Sequence, residues 1–250
     1  MQLPWLIARR LSPVFAFLLL APGLRAPAQS PRIFSPQLVS TQTPEGDGDF
    51  FLAHGQYIEA IDAYRRAPAD ADTLNKIGVA WHHLSALNLA KKSYEEALSL
   101  RPDYPDAINN LGSAYFVEKN FRQALRLYQR AFSLEPHSAI IAANLGTAYF
   151  AEGKYAEGLD AYRTAYALDP SVLDFDLSGL IEGGTPKRVR AHRDYSLAEI
   201  FASQNVLDRA LDYLHRAMAE GFHDWKRLMR DPAFTQLRET PEFAKLMLGA

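Results

Sequence analysis

Residues 71–170 repeat with a period of 34, and a chain built that way is confined to few architectures. Three stretches beginning at Ala71, Pro105 and Ala139 superimpose without gaps. Gly78, Gly112 and Gly146 fall in register, as do the aromatics Trp81, Tyr115 and Tyr149. Tyr94, Tyr128 and Tyr162 follow, then Ala97, Ala131 and Ala165, then Pro102, Pro136 and Pro170. A fixed period of roughly 20 to 50 residues signals stacked supersecondary units rather than a single closed core.

Each unit reads as two helices. Leu111, Ala114 and Tyr115 form one apolar stripe at helical spacing. Ala124, Leu127, Tyr128, Ala131 and Phe132 form a second. Glycine inside a helix costs about 1 kcal/mol relative to alanine, so the recurrence of Gly112 and its equivalents predicts close approach of the partner helix. Each Pro sits just past a helix-ending Leu, where it stops the helix cheaply. Asp103, Asp106, Ser138 and Ser171 are placed to cap the helix that follows. Two helices of about 14 residues cannot bury their apolar faces alone; stacked neighbours can.

These residues resemble the tetratricopeptide repeat, whose signature puts Leu-Gly, Tyr, Ala, an aromatic, Ala and Pro at these places. Ile77 replaces the Leu before Gly78, and Gly158 stands where the other copies have Ala90 and Ala124. The resemblance implies an all-α, right-handed α-solenoid of helix-turn-helix units with a short helical C-terminal cap. Three full repeats are expected at 71–104, 105–138 and 139–170. A degenerate repeat is expected at 45–70, where Gly48, Phe51, Gly55, Tyr57, Ala60, Tyr64 and Ala67 keep the internal offsets. Another is expected at 190–221, where Ala198, Phe201, Leu207, Ala210, Leu214 and Ala217 do so while polar Asp194 occupies a normally apolar place. Residues 171–189, with Gly183-Gly184 and Pro186, read as an irregular linker. Residues 222–250 read as two or three short helices. They start at Asp231-Pro232 and Thr240-Pro241 and pack Trp225, Leu228, Phe234, Leu237, Phe243 and Leu246 onto the open end.

The first 28 residues have the layout of a secretory signal peptide. Arg9-Arg10 precedes the apolar run Leu11 to Leu20, and Ala26-Pro27-Ala28 offers a small-residue cleavage site. An uncleaved anchor is the alternative, but the run is about half the ~20 residues a spanning helix needs. Residues 29–44, rich in Pro, Ser, Gln and Thr, read as a flexible leader. Losing Arg9, Arg10 and Arg25 with the first 28 residues takes the net charge from −2 to −5, because 24 basic residues then face 29 acidic ones. Such acidity argues against nucleic-acid partners, which need a basic footprint. The absence of cysteine excludes a lipoprotein form, thiol catalysis and disulfide chemistry.

No metalloprotease, phosphate-loop, nucleophile-elbow or dinucleotide motif is present. His82 and His83 are adjacent, so on a helix they point about 100° apart and cannot chelate from one face. Asp47 and Asp49 in EGDGD are followed by Phe51 and Ala53 rather than by further oxygen ligands. No catalytic, cofactor or metal residue is therefore expected.

What remains is a surface. The resemblance implies that the first helix of each repeat lines a concave face. The expected lining is Asp72, Asn75, Val79, His82 and His83, then Asp106, Asn109, Ser113, Phe116 and Val117, then Ile140, Ala143, Thr147 and Phe150. Phe116 is expected as an anchor there, and His82 as a source of pH sensitivity between roughly 5.5 and 7.5. Lys76 is the one cation near that face in the full repeats, while Asp72 and Asp106 oppose an anion, so a peptide-carboxylate clamp is not expected. Lys187, Arg188, Arg190 and Arg193 form a basic run that reads either as a solvated helix start or as a contact for an anion or acidic partner.

Two functional readings follow. One is a non-catalytic scaffold or assembly factor of a bacterial envelope, exported to the periplasm or beyond, that binds protein or peptide partners along the groove. The other is an accessory subunit of an envelope enzyme acting on cell wall or polysaccharide. Neither the partner nor the oligomeric state can be read from the sequence.

Overall fold

The computed structural model describes residues 43–173 and 186–248. The expected signal peptide, nearly all of the leader and the centre of the 171–189 linker lie outside the described residues. Within them the chain is all-α, with no strand. Helix α1 (Pro44–Ala53) pairs with α2 (Tyr57–Tyr64), α3 (Ala71–His83) with α4 (Leu87–Leu100), α5 (Pro105–Val117) with α6 (Phe121–Leu134), and α7 (Ala139–Ala151) with α8 (Tyr155–Leu168). A 3₁₀ turn (Pro170–Leu173) follows. A fifth pair is α9 (Lys187–Ser203) with α10 (Leu207–Ala219). The C-terminal segment is α11 (Trp225–Arg230), two 3₁₀ turns (Pro232–Phe234 and Leu237–Glu239) and α12 (Pro241–Leu248). From α1 to α10 each helix packs on its sequence neighbour, and first helices also touch the next first helix, α3 to α5 and α5 to α7. That makes the first helices the inner row of the stack.

The in-register glycines and tyrosines explain each other. A Cβ built on Gly78 would lie 2.4 Å from the Tyr94 ring, and one on Gly146 2.4 Å from Tyr162. At Gly48 the distance to Tyr64 is again 2.4 Å, and at Gly112 the distance to Tyr128 is 2.9 Å. The ring of the second helix therefore lies flat on the first helix where a side chain is missing. Gly158 has its own reason: a Cβ there would meet the Phe150 ring at 2.8 Å.

Burying these tyrosines requires partners for their hydroxyls. The residue after each glycine sits fifteen before the tyrosine. The Tyr64 hydroxyl donates to Asp49 at 2.7 Å, Tyr128 donates to Ser113 at 3.0 Å, and Tyr162 and Thr147 share a bond of 2.9 Å.

The turn inside each repeat has a fixed geometry. Gly55, Ser85, Lys119, Gly153 and Asn205 occupy equivalent places, all with φ between 59° and 75°. A left-handed residue closes the first helix there.

Capping differs from expectation at some ends. Ser138 accepts from the Ile141 amide, and Asp70 from that of Thr73 at 2.8 Å. Asp103 does not cap α5; it pairs with Arg130 at 3.3 Å, and Pro105 supplies the helix start instead. Asp106 lies within the first turn of α5 rather than before it, and Ser171 closes a local turn on Asp169. At the far end, Asp231 and Thr240 accept from the amides of Ala233 and Phe243.

Helix α9 is buried nearly all round from Val189 to Ala202. Leu228, Phe234, Leu237 and Phe243 of the C-terminal segment join it in one cluster, with Trp225 and Leu246 partly buried against it. The anomalous Asp194 is 2% exposed and pairs with Arg193, itself 1% exposed, at 2.7 Å. Burial raises the Asp194 pKa, against the pull of Arg193.

Candidate functional site

The inner row carries a cleft of 380 Å³. Its wall is made by successive inner helices: Asn75, Lys76 and Val79 of α3; Asp106, Asn109 and Asn110 of α5; Ile140 and Ile141 of α7. Asp49, Leu52 and Ala53 of α1 close one end, and Tyr104 and Ser138 stand just before α5 and α7.

A ladder of side-chain bonds crosses this wall between repeats. Asn110 donates its amide to Asn75 Oδ1 at 3.0 Å, and Asn144 donates to Asn109 Oδ1 at 2.9 Å. Lys76 reaches Glu45 at 2.7 Å in the equivalent relation, and also Asp49 at 2.9 Å. Among the described residues the ladder has no rung beyond Asn144, because Ala143 holds the place of Asn75 and Asn109. Asn75 and Asn109 are 7% and 8% exposed. An amide has two donors and an acceptor with two lone pairs, and the rungs use only part of that capacity. Asp72, on the rim, is gripped by both guanidinium nitrogens of Arg101 at 3.1 and 2.8 Å. The bond to Arg101 chiefly holds its carboxylate below the ordinary range.

Of the expected lining, Asn75, Val79, Asp106, Asn109 and Ile140 meet at this cleft. Several others are placed elsewhere. Phe116 is 5% exposed and Phe150 fully buried. Each closes onto an aromatic five residues on, Phe116 against Phe121 at 5.0 Å and Phe150 against Tyr155 at 6.2 Å. His82 occupies the same register as these two phenylalanines and is 2% exposed. Burial, with a smaller contribution from His83, lowers its pKa to about 4. It therefore stays neutral across the range where pH sensitivity was expected. His83 stacks on Tyr57 at 4.5 Å, off the cleft wall. Ser113 and Thr147 are buried under the tyrosine hydroxyls, and Ala143 is 4% exposed. Val117 is half-buried at the end of α5, away from the cleft.

The basic run does not form one surface. Lys187 and Arg188 are exposed, but Arg190 pairs with Glu220 at 2.6 Å and Arg193 points into the core. Helical periodicity turns successive members of the run to different faces.

Tyr104, Asn110, Ser138 and Ile141 belong to the cleft wall and were not foreseen from the sequence, while Lys76, expected near this face, lies on the wall. Asn110 had a usable signal: the pair Asn109-Asn110 recurs in part as Asn144 one period later.

Among the described residues no cluster of three or more His, Asp or Glu could hold a metal ion, and no helix is long and apolar enough to cross a membrane.

Comparison with known proteins bears on the repeats and the fold. Residues 71–104 and 110–172 match models of the tetratricopeptide repeat. The chain thus contains tetratricopeptide repeats, stacked as an α-solenoid. No curated protein matches the sequence. Among solved structures, the Cut9–Hcn1 hetero-tetramer of the APC/C is similar over 78% of this chain and 34% of its own, at 20% identity and a TM-score of 0.51. MamA covers 69% of this chain and 93% of its own at 22% identity and a TM-score of 0.48. The tetratricopeptide-repeat protein TTC0263 of Thermus thermophilus covers 82% and 97% at 19% identity and a TM-score of 0.48. At these identities the likeness concerns the fold alone.

Proposed function

We propose that this protein is a non-catalytic scaffold of a bacterial envelope that holds an extended segment of a partner protein in the inner cleft. The observation that carries this reading is the amide ladder. Asn75 and Asn109 stand one per repeat along the cleft wall, each with hydrogen-bonding capacity beyond its rung. An extended backbone offers a donor and an acceptor at every residue, so a row of amides can hold it without reading its sequence. Val79, Leu52 and Ile140 supply apolar surface between them. Export to the periplasm or beyond is supported by Arg9-Arg10, the apolar run and Ala26-Pro27-Ala28. An intact mass that includes Met1 in the exported protein would overturn that part.

The binding reading is tested with a photo-crosslinking amino acid placed at Asn110 on the cleft wall and, separately, at exposed Glu95 on α4. A partner captured in envelope extract from position 110 and not from 95 is the expected result. Equal capture from both, or from 95 alone, rejects the inner cleft as the working surface.

A further inference from the structure

We infer that the segment held in the cleft is positively charged, seated by a Lys or Arg side chain on the Asp106 carboxylate. This inference rests on the inner cleft being the binding surface, and it names the chemistry of what binds there.

The charges of the cleft do not balance. Its carboxylates are Asp49 and Asp106 on the wall, with Glu45 and Asp72 beside it. Its cations are Lys76 and Arg101, and both are committed. Lys76 is held between Glu45 at 2.7 Å and Asp49 at 2.9 Å. Arg101 is fixed by two bonds to Asp72 and lies over the Tyr104 ring at 4.5 Å. Asp106 is left half-buried, with no ion pair or hydrogen bond to any described residue. Burial, and then the nearby Asp72, raise its pKa above the ordinary value, against a smaller opposing pull from Arg101. Glu135 also senses Asp106 as a like charge.

A partly desolvated carboxylate of this kind favours an incoming cation. The walls suit the rest of a long basic side chain. Val79 and Ile140 are apolar surfaces along which the methylene stem of Lys or Arg can lie while its head reaches a carboxylate. The start of α5 also favours an acid at Asp106. That accounts for the residue type but not for the surplus of negative charge facing one cleft. A groove with such a surplus attracts basic segments and repels acidic ones.

The test is a random dodecapeptide display library selected on the full-length chain, on Asp106→Asn and on a cleft-filling variant, Val79→Trp. Helicity of each is checked by circular dichroism, and Ile140→Trp replaces Val79→Trp if the latter fails to fold. On the wild type, selected peptides should be enriched in Lys and Arg. A representative selected peptide, measured by fluorescence anisotropy, should lose about tenfold in affinity for Asp106→Asn, as expected for one charge-assisted contact. It should lose binding to the filled cleft altogether. Selected peptides without basic enrichment that still fail on the filled cleft overturn the charge inference and leave the cleft reading intact. Peptides that bind the filled cleft as well as the wild type, or no enrichment at all, overturn both.

Discussion

The hydroxyl of Tyr94 is buried with no hydrogen-bond partner among the described residues, because Val79 stands where Asp49, Ser113 and Thr147 serve the equivalent tyrosines. Burial pushes its pKa well above the ordinary phenol value. Leaving a buried polar group unsatisfied costs about 1–3 kcal/mol. Val79→Thr keeps the shape and adds the missing hydroxyl. It should raise the stability of the chain by about 1 kcal/mol in urea denaturation. Thr147→Val should lower it by a similar amount, and equal behaviour of the two variants would show that the hydroxyl contact is not the cause.

Gly78 tests the ring-on-helix contact. Gly78→Ala puts a methyl group within 2.4 Å of the Tyr94 ring. The ring must shift, and overpacking of this kind costs about 1–3 kcal/mol, more than alanine's helix propensity returns. In a stack where repeats touch only their neighbours, the loss should stay local. Hydrogen exchange should accelerate in α1 to α6 and remain unchanged in α9 and α10. Uniform acceleration would contradict it.

Lys119 tests the turn. Its φ of 62° is costly for a residue with a side chain, and its side chain is exposed. Lys119→Gly should stabilise by about 1 kcal/mol, read as a higher urea midpoint with unchanged slope. Gly153→Ala, at the equivalent place with φ 75°, should destabilise by about the same amount.

His82 gives the pH dependence its sign. Its folded pKa of about 4 lies below the ordinary 6.5, so folding disfavours the proton. The stability tied to its neutral form is complete above 6.5 and is lost as pH falls from there toward 4. The slope approaches about 1.4 kcal/mol per pH unit within that window. His82→Phe, matching Phe116 and Phe150 in register, should remove this part of the slope. Urea denaturation at several pH values on both proteins measures the difference, and parallel curves would place the titration elsewhere.

The period and the close helix approach at the in-register glycines were legible because each repeats in sequence; that the tyrosine ring is what lies on the glycine was not, since no residue pattern pairs the two. The cleft was half legible. Its true wall comes mainly from the N-terminal halves of α3, α5 and α7, at Asn75, Asp106, Asn109 and Ile140. The last turns, with His82, Phe116 and Phe150, are covered by the start of the following helix across the tight turn. Helical spacing gives the direction of a side chain but not the chain that folds back over it. Asp194 announced itself as a misplaced polar residue. Its partner Arg193 did not, because it stood inside a basic run that looked like surface.

The ladder from Lys76 through Asn110 to Asn144 has a mechanical consequence. Each rung ties one inner helix to the preceding one, so bending the stack open or shut along that row must stretch or break a rung. The first four repeats therefore behave as a stiff beam. Past Ala143 the polar bracing gives way to an apolar one: α9 shares a single buried cluster with α7 and α8, and Arg163 of α8 pairs with Glu199 of α9.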